Sequence, residues 1–258
     1  MIPLVIFFNL NAMRLFGLIG YPLTHSFSKK YFTDKFEKEN IKECAYELFE
    51  ISNADQFTNL IVDHPEVVGF NVTIPHKQTI IPFLAKLDDS AKFVGAVNVI
   101  KKEASGDWVG YNSDYYGFME SLKRFLPRHY DGYKALVLGT GGAAKAVLAA
   151  LNTLNIKFIQ VSREPKPGII AYEDVLNDTI ASHHIIINTT PLGMYPNVDS
   201  APPLPYEAIT SDHYLFDLVY NPAETLFLLK GKHRGAKTQF GLEMLHLQAE
   251  KAWEIWNQ

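Results

Sequence analysis

Short apolar runs alternate with amphipathic stretches along this chain, and the alternation occurs twice. "RLFGLIG" reads as a buried strand ending in a Gly-Tyr-Pro turn, and a helix-like run follows from about Ser28 to Glu39. "AYELFEI" reads as a strand, "ADQFTNLIVDH" as a helix with apolar residues three and four apart, and "VVGFNVTI" as the next strand. From Met13 to about Lys102 this predicts a mostly parallel sheet with helical crossovers. The second alternation starts at "YKALVLGTGGAAKAVLAALNTL", where an apolar strand runs through a glycine turn into an Ala-rich helix. "KFIQVS", "HHIIINTTP" and "HYLFDLVY" read as further strands, the last two buried and ending in polar residues. "GLEMLHLQAEKAWEIW" predicts an amphipathic helix with Leu242, Leu245, Ala249, Trp253 and Trp256 apolar. The fold class is therefore α/β, in two domains with a cleft. The boundary is expected in "YNSDYYGFMESL", giving a substrate-binding domain over 13–112 and a dinucleotide-binding domain over 113–236. A C-terminal helix, 237–258, is expected to pack back on the first domain.

Composition narrows the function classes. A chain of 258 residues, 47% hydrophobic and 20% charged, can bury two well-formed cores. A net charge of −4 with both signs scattered gives no basic surface for nucleic acid or an anionic membrane. Cys44 is the single cysteine, so there is neither an internal disulfide nor a Cys cluster for a metal, and a reducing cytoplasm is the expected location. The leading "MIPLVIFFNLNAM" is apolar but too short to span a bilayer. Met13 is read as the start of the natural domain and residues 1–12 as an extension; ordered packing of Ile2 to Phe8 in the core would contradict this.

The glycine turn carries the first chemistry. Gly139, Gly141 and Ala144 make G-x-G-x-x-A between a strand and a helix. The first glycine permits the tight turn, the second lets a pyrophosphate approach the backbone, and the small third residue lets helix and strand pack closely. The free N–H groups and positive dipole end of the helix then face the phosphates. At the end of the next strand, where an NAD site usually places an acid, this chain has Ser162 and Arg163, with Lys166 shortly after. A guanidinium suits a 2′-phosphate, so NADP is the expected cofactor, with Glu164 as a nearby complication.

Polar groups gather at strand ends of the first half. In "GFNVTIPHKQTI", Pro75 cannot donate to a ladder, so pairing should end there and Lys77 emerges in a loop, as a solvated lysine or as a chemical group. Asn71 and Thr73 share one face of that strand. Ser26 and Ser28 head a helix, where hydroxyls and backbone N–H groups suit a carboxylate, although N-capping explains one of them. In "GAVNVI", Asn98 is read as lying in an otherwise apolar strand, where an amide needs partners. Asp114, at the domain junction, is either a helix cap or a functional carboxylate.

Taken together, "GYPLTHSFS", "FNVTIPHK", "GAVNVI", "GYNSDYYG", "GTGGAAKA", "INTTPLGM", "DLVYNPAETLFL" and "GLEMLHLQA" resemble the shikimate dehydrogenase family, in its order and over nearly the whole chain from Met13. The resemblance implies an N-terminal substrate domain, a C-terminal Rossmann-type NADP-binding domain and reversible NADPH-dependent reduction of 3-dehydroshikimate to shikimate. It makes Lys77 and Asp114 the catalytic pair. It gives Ser26 and Ser28 to the substrate carboxylate, and Asn71, Thr73, Asn98 and Gln248 to the rest of the acid, with Tyr220 beside it. Cofactor contacts fall on Gly139, Gly141, Gly142, Ala143, Ser162, Arg163, Thr189, Val219 and Gly241, and no metal is implied. The expected partner is the small acid alone, in a monomer or homodimer.

Five residues depart from the family pattern. Lys29 and Lys30 stand where a proline is common, Ser113 where threonine is usual, Tyr115 where a small residue is found, and Ser162 where asparagine precedes the arginine. None removes a group the reaction requires. Two rivals remain: a dehydrogenase of broader specificity that also takes quinate, and a non-catalytic metabolite sensor, which predicts loss of the Lys77 and Asp114 pair. His183 and His184 are read as a pair opening a strand, His76 as structural, and Tyr115, Tyr116 and Phe118 as core or cleft wall.

Overall fold

The computed structural model describes residues 13–23 and 26–258, so the proposed extension, residues 1–12, lies outside the described residues. The chain forms two compact units, one made of residues 13–87 and 97–111 and the other of 88–96 and 112–258.

The first unit is built on a six-stranded sheet. Strand β1 (Arg14–Gly20) leads through α1 (Phe27–Lys38) to β2 (Cys44–Glu50), and α2 (Phe57–Asp63) then leads to β3 (Val67–Val72). β1 lies between β2 and β3 and is parallel to both. The short β4 (Lys86–Leu87), β5 (Val99–Lys102) and β6 (Trp108–Tyr111) complete the order β2-β1-β3-β5-β6-β4, and α3 (Asp89–Val94), between β4 and β5 in the chain, belongs to the second unit. β5 runs antiparallel to β3 and to β6, so the sheet is mixed rather than a plain alternation. Phe57, Phe70 and Trp108 meet with ring centroids 5.4–5.8 Å apart in the core, edge-on or tilted as aromatic quadrupoles prefer. Each buried phenylalanine contributes up to about 3 kcal/mol of transfer free energy.

Beside α3, the second unit holds α4 (Asp114–Phe125), β7 (Lys134–Leu138), α5 (Gly142–Thr153) and β8 (Lys157–Ser162). There follow β9 (Ile169–Ala171), α6 (Asn177–Ala181), β10 (Ile185–Asn188), β11 (Tyr214–Asp217), α7 (Leu226–His233), β12 (Lys237–Phe240) and α8 (Leu242–Trp256). The strands pair in the order β12-β11-β10-β7-β8-β9, and every pairing is parallel. This is the doubly wound Rossmann order, whose direction reverses between β7 and β10. Both sheet faces are covered, which is why its strands read as unbroken apolar runs. One face buries Val137, Ile185, Ile187 and Phe216 under Phe118 and Leu122 of α4 and Val147 and Leu151 of α5. The other buries Leu136, Leu138, Ile186 and Leu215 under Phe227 and Leu228 of α7. α8 lies along α4, where Glu243 accepts from Ser121 Oγ at 3.0 Å and pairs with Arg124 at 3.0 Å.

Candidate active site

Ligands of open α/β sheets bind beyond the carboxyl ends of the strands, where the winding reverses. In the first unit that place is the end of β1 and β3, and the predicted polar residues follow those two ends. Ser26 is the N-cap of α1, its Oγ accepting from Lys29 N at 3.2 Å, so α1 begins regularly despite the two lysines where a proline is common. Accepting that bond leaves the Ser26 O–H able to donate. Lys29 itself reaches Glu47 of β2 at 2.6 Å, an ion pair exposed at both ends.

β3 ends at Val72, three residues before Pro75, although Thr73 N still donates to Ile19 O at 2.8 Å. Asn71 is buried and sends its Nδ2 to the Asn98 carbonyl at 3.4 Å, while Val72 N donates to the same carbonyl at 2.9 Å. Asn98 therefore precedes β5 rather than lying within a strand, and its backbone bonds to both flanking strands, with its own N–H on Tyr111 O at 3.1 Å. The turn that carries Lys77 is tied on both sides. His76 is buried with Nε2 2.7 Å from Ile51 O, which can only accept, so that nitrogen carries the proton. Val97 N donates to the Lys77 carbonyl at 2.7 Å, and the Lys77 side chain is half-buried. His76 is thus structural, as its sequence context predicts.

In the second unit, Asp114 is not the helix cap. Ser113 occupies that position, and Asn112 Oδ1 accepts from Tyr115 N at 3.0 Å, capping in its place. Asn112 Nδ2 also donates to Ala96 O at 2.9 Å, and its backbone N–H donates to Ser90 Oγ at 3.0 Å, fastening the start of α4 to residues 88–96. Asp114 is buried in the first turn, where the helix dipole favours a carboxylate. Ser113 Oγ donates to Gln248 Oε1 on α8 at 3.3 Å. Tyr115 packs edge-on to Phe93 and donates to Thr153 Oγ1 at 3.0 Å, filling the space between α3 and α5.

The glycine turn follows β7. Gly139 has φ +112°, and a Cβ there would stand 2.6 Å from Thr189 Oγ1, so only glycine fits. Gly141 is the N-cap of α5, makes no side-chain cap bond and faces open space where a Cβ would be. The first N–H groups of α5, at Gly142 and Ala143, are thus unclaimed by any capping side chain, and the arrangement fits a diphosphate. Gln160 of β8 steadies the turn by donating to Gly139 O at 2.8 Å. Thr189, after β10, returns its hydroxyl to Leu138 O at 2.6 Å. Arg163 is exposed at the end of β8, beside β7, where a ribose phosphate of such a ligand falls. Ser162 Oγ accepts from Glu164 N at 3.3 Å.

Beyond β11 lie Val219, buried, and Tyr220, half-buried with its hydroxyl pKa raised by desolvation. Gly241 opens α8, and a Cβ there would collide with the Leu218 carbonyl. Beneath them is a buried carboxylate that sequence reasoning does not single out. Asp217 accepts from Asn188 Nδ2 at 2.9 Å, Val219 N at 3.0 Å and Thr225 Oγ1 at 2.5 Å. Burial pushes its pKa up to about 6 against the opposing pull of those three bonds. Its signal in the sequence is an acid closing the apolar run "YLFD". A second residue missed in this way, Tyr46, bonds to Asn71 at 2.7 Å inside the first unit, and its signal is a hydroxyl at an inward strand position.

His183 and His184 do precede β10; His183 Nδ1 bonds to Thr179 O at 2.7 Å and His184 stacks on Tyr133 at 4.4 Å. Among the described residues no helix is long and apolar enough to cross a membrane.

Known proteins supply the comparison. Residues 18–100 match the family model described as the shikimate dehydrogenase substrate binding domain. The shikimate dehydrogenase (NADP(+)) of Clostridium beijerinckii is 42% identical over 258 residues, covering 95% of this chain and 93% of that protein. The crystal structure of shikimate dehydrogenase from Aquifex aeolicus superposes with a TM-score of 0.85 at 34% identity, covering 95% of this chain and 92% of that one. The shikimate 5-dehydrogenase of Thermus thermophilus, solved in complex with NADP(H) and shikimate, gives a TM-score of 0.83 at 29% identity, covering 95% and 93%.

Proposed function

This chain belongs to the shikimate dehydrogenase family, and on that premise we propose how its residues share the reversible NADPH-dependent reduction of 3-dehydroshikimate to shikimate, a step of aromatic biosynthesis. The observation that carries the assignment is the cluster at the ends of β1 and β3, where hydroxyls and amides of Ser26, Ser28, Asn71 and Thr73 precede a tethered turn bearing one lysine. Such a set suits a hydroxylated carboxylate.

Residues 13–112 bind the acid, 113–236 bind the dinucleotide, and 237–258 complete the fold. Ser26 and Ser28 donate to the substrate carboxylate. Asn71, Thr73, Asn98 and Gln248 hold its hydroxyls, and Tyr220 lies beside it. Gly139, Gly141, Gly142 and Ala143 offer backbone N–H groups to the diphosphate; Ser162 and Arg163 take the 2′-phosphate; Thr189, Val219 and Gly241 complete the cofactor contacts. Bound NADPH supplies a hydride to the carbonyl carbon. Lys77 and Asp114 form the catalytic pair. As negative charge grows on the carbonyl oxygen, the Lys77 ammonium stabilises it and passes it a proton, while Asp114 orients the lysine and accepts from a neighbouring hydroxyl. The enzyme is expected in the cytoplasm as a monomer or homodimer, without nucleic-acid or membrane partners.

The test is NADP+ reduction by shikimate, with quinate as the competing acid. Wild-type turnover of shikimate well above that of quinate is expected. Lys77→Ala should lose about 10²- to 10⁴-fold in kcat, the usual worth of a positioned proton donor, with little change in thermal stability. Full turnover by Lys77→Ala would remove that residue from the mechanism, and equal rates on quinate would favour the broader enzyme.

A further inference from the structure

Tyr46 lies on β2 with 3% of its surface exposed, its ring stacked on Phe32 of α1 at 4.8 Å and 13°. Packing alone would be met by phenylalanine. A hydroxyl buried this deeply costs free energy unless it is hydrogen-bonded, and this one is. It donates to Asn71 Oδ1 at 2.7 Å, since an amide oxygen can only accept. Asn71 Nδ2 then reaches the Asn98 carbonyl at 3.4 Å. One neutral hydroxyl therefore joins β2 to β3, and its bond fixes the amide orientation of Asn71. Desolvation raises the Tyr46 pKa and keeps it a neutral donor at any working pH.

We propose that Tyr46 is a positioning residue for the acid substrate, holding the Asn71 amide in binding geometry before the acid arrives. The proposal rests on the reading that Asn71 holds that acid. Tyr46 is placed to act through it rather than by touching the ligand. Preorganisation of this kind lowers the ordering cost of binding and leaves the chemical step alone.

Tyr46→Phe keeps the ring and removes the bridge. Its KM for shikimate should rise about five- to twentyfold, the range for leaving a buried polar group unsatisfied, with kcat and the KM for NADP+ each within about twofold. Asn71→Ala should raise the same KM, and the Tyr46→Phe/Asn71→Ala variant should lose less than the product of the two single losses. The proposal is overturned by an unchanged shikimate KM in Tyr46→Phe while Asn71→Ala raises it. It is also overturned by fully multiplicative losses, or by equal rises in both KM values, since a merely structural role would affect both ligands. If Asn71→Ala itself leaves the shikimate KM unchanged, the assignment of the acid to this cluster fails first, and the proposal falls with it.

Discussion

The two units immobilise their functional edges by opposite means. On the proposed assignment, the first offers side chains to its ligand and a neutral bond, Tyr46–Asn71, steadies them. The second, on the same assignment, presents backbone at an uncapped helix start, and a buried carboxylate ties the neighbouring loops together. A neutral hydroxyl can be removed at the cost of one bond. A buried carboxylate that satisfies three donors cannot, because each donor is left stranded in a medium that does not solvate it. The substrate side should therefore fail in affinity, and the dinucleotide unit in stability.

The strongest test of that contrast is Asp217→Ala. It strands Asn188 Nδ2, Thr225 Oγ1 and Val219 N, and should cost about 3 kcal/mol or more, lowering Tm by roughly 6–12 °C. Differential scanning calorimetry decides this, and a loss comparable to that of Tyr46→Phe would erase the distinction. The pH dependence sharpens it. With a folded pKa of about 6 against an unfolded value of 3.8, the native state binds the extra proton between those limits. The contribution of Asp217 to stability is therefore fully present below about pH 4 and declines as pH rises to about 6, by about 3 kcal/mol at most. Tyr206, the other titratable group facing Asp217, is itself raised by burial and stays neutral throughout that window. Asp217→Asn should remove this component of the pH profile, read as urea stability at pH 4.5 against pH 7.5.

Arg163→Ala probes the exposed edge of the same unit, where neither burial nor the carboxylate reaches. A guanidinium–phosphate contact is worth about 1.5–3 kcal/mol, and exposure places this one at the lower end, so KM for NADP+ should rise about tenfold. KM for NAD+, which lacks the phosphate, should stay within about twofold, and Tm should not move. An unchanged preference between the two cofactors would take the 2′-phosphate away from Arg163.

Legibility in the sequence follows the same division. The parallel strands of the second unit are readable because burial on both faces makes continuous apolar runs, and "KFIQVS" coincides with β8. The antiparallel β6 and the short α3 go unread, since four- to six-residue segments carry too few periods to declare themselves, whereas "GAVNVI" is read as a strand and β5 begins within it, at Val99. The residues placed at the ligand-facing ends are legible by type and motif: lysine after a proline turn, paired serines at a helix start, glycines between strand and helix. Tyr46 and Asp217 are not, because what distinguishes them is a partner 25 and 29 residues away in sequence, and hydrogen-bond partners at that range are a property of the fold. Asn112 shows the limit from another side: the sequence offers Asp114 as the cap, and the neighbouring amide supplies it instead.

The smallest effect expected tests whether the backbone site also depends on a neutral bond, as the substrate side does. Gln160 reaches from β8 to the Gly139 carbonyl at 2.8 Å, across the strand pair that carries the glycine turn. Its removal leaves a half-exposed carbonyl that water can partly satisfy, so Gln160→Ala should cost about 1 kcal/mol or less. That corresponds to a rise of at most about fivefold in KM for NADP+ with the shikimate KM unmoved. If the turn is instead held by its flanking bonds, Gly139 N to Val161 O at 2.9 Å and Thr189 Oγ1 to Leu138 O at 2.6 Å, KM for NADP+ will not change and only Tm will fall, by about 2–4 °C. Steady-state kinetics with both substrates, beside a melting curve of the same preparation, separates a turn held by Gln160 from one held by those flanking bonds.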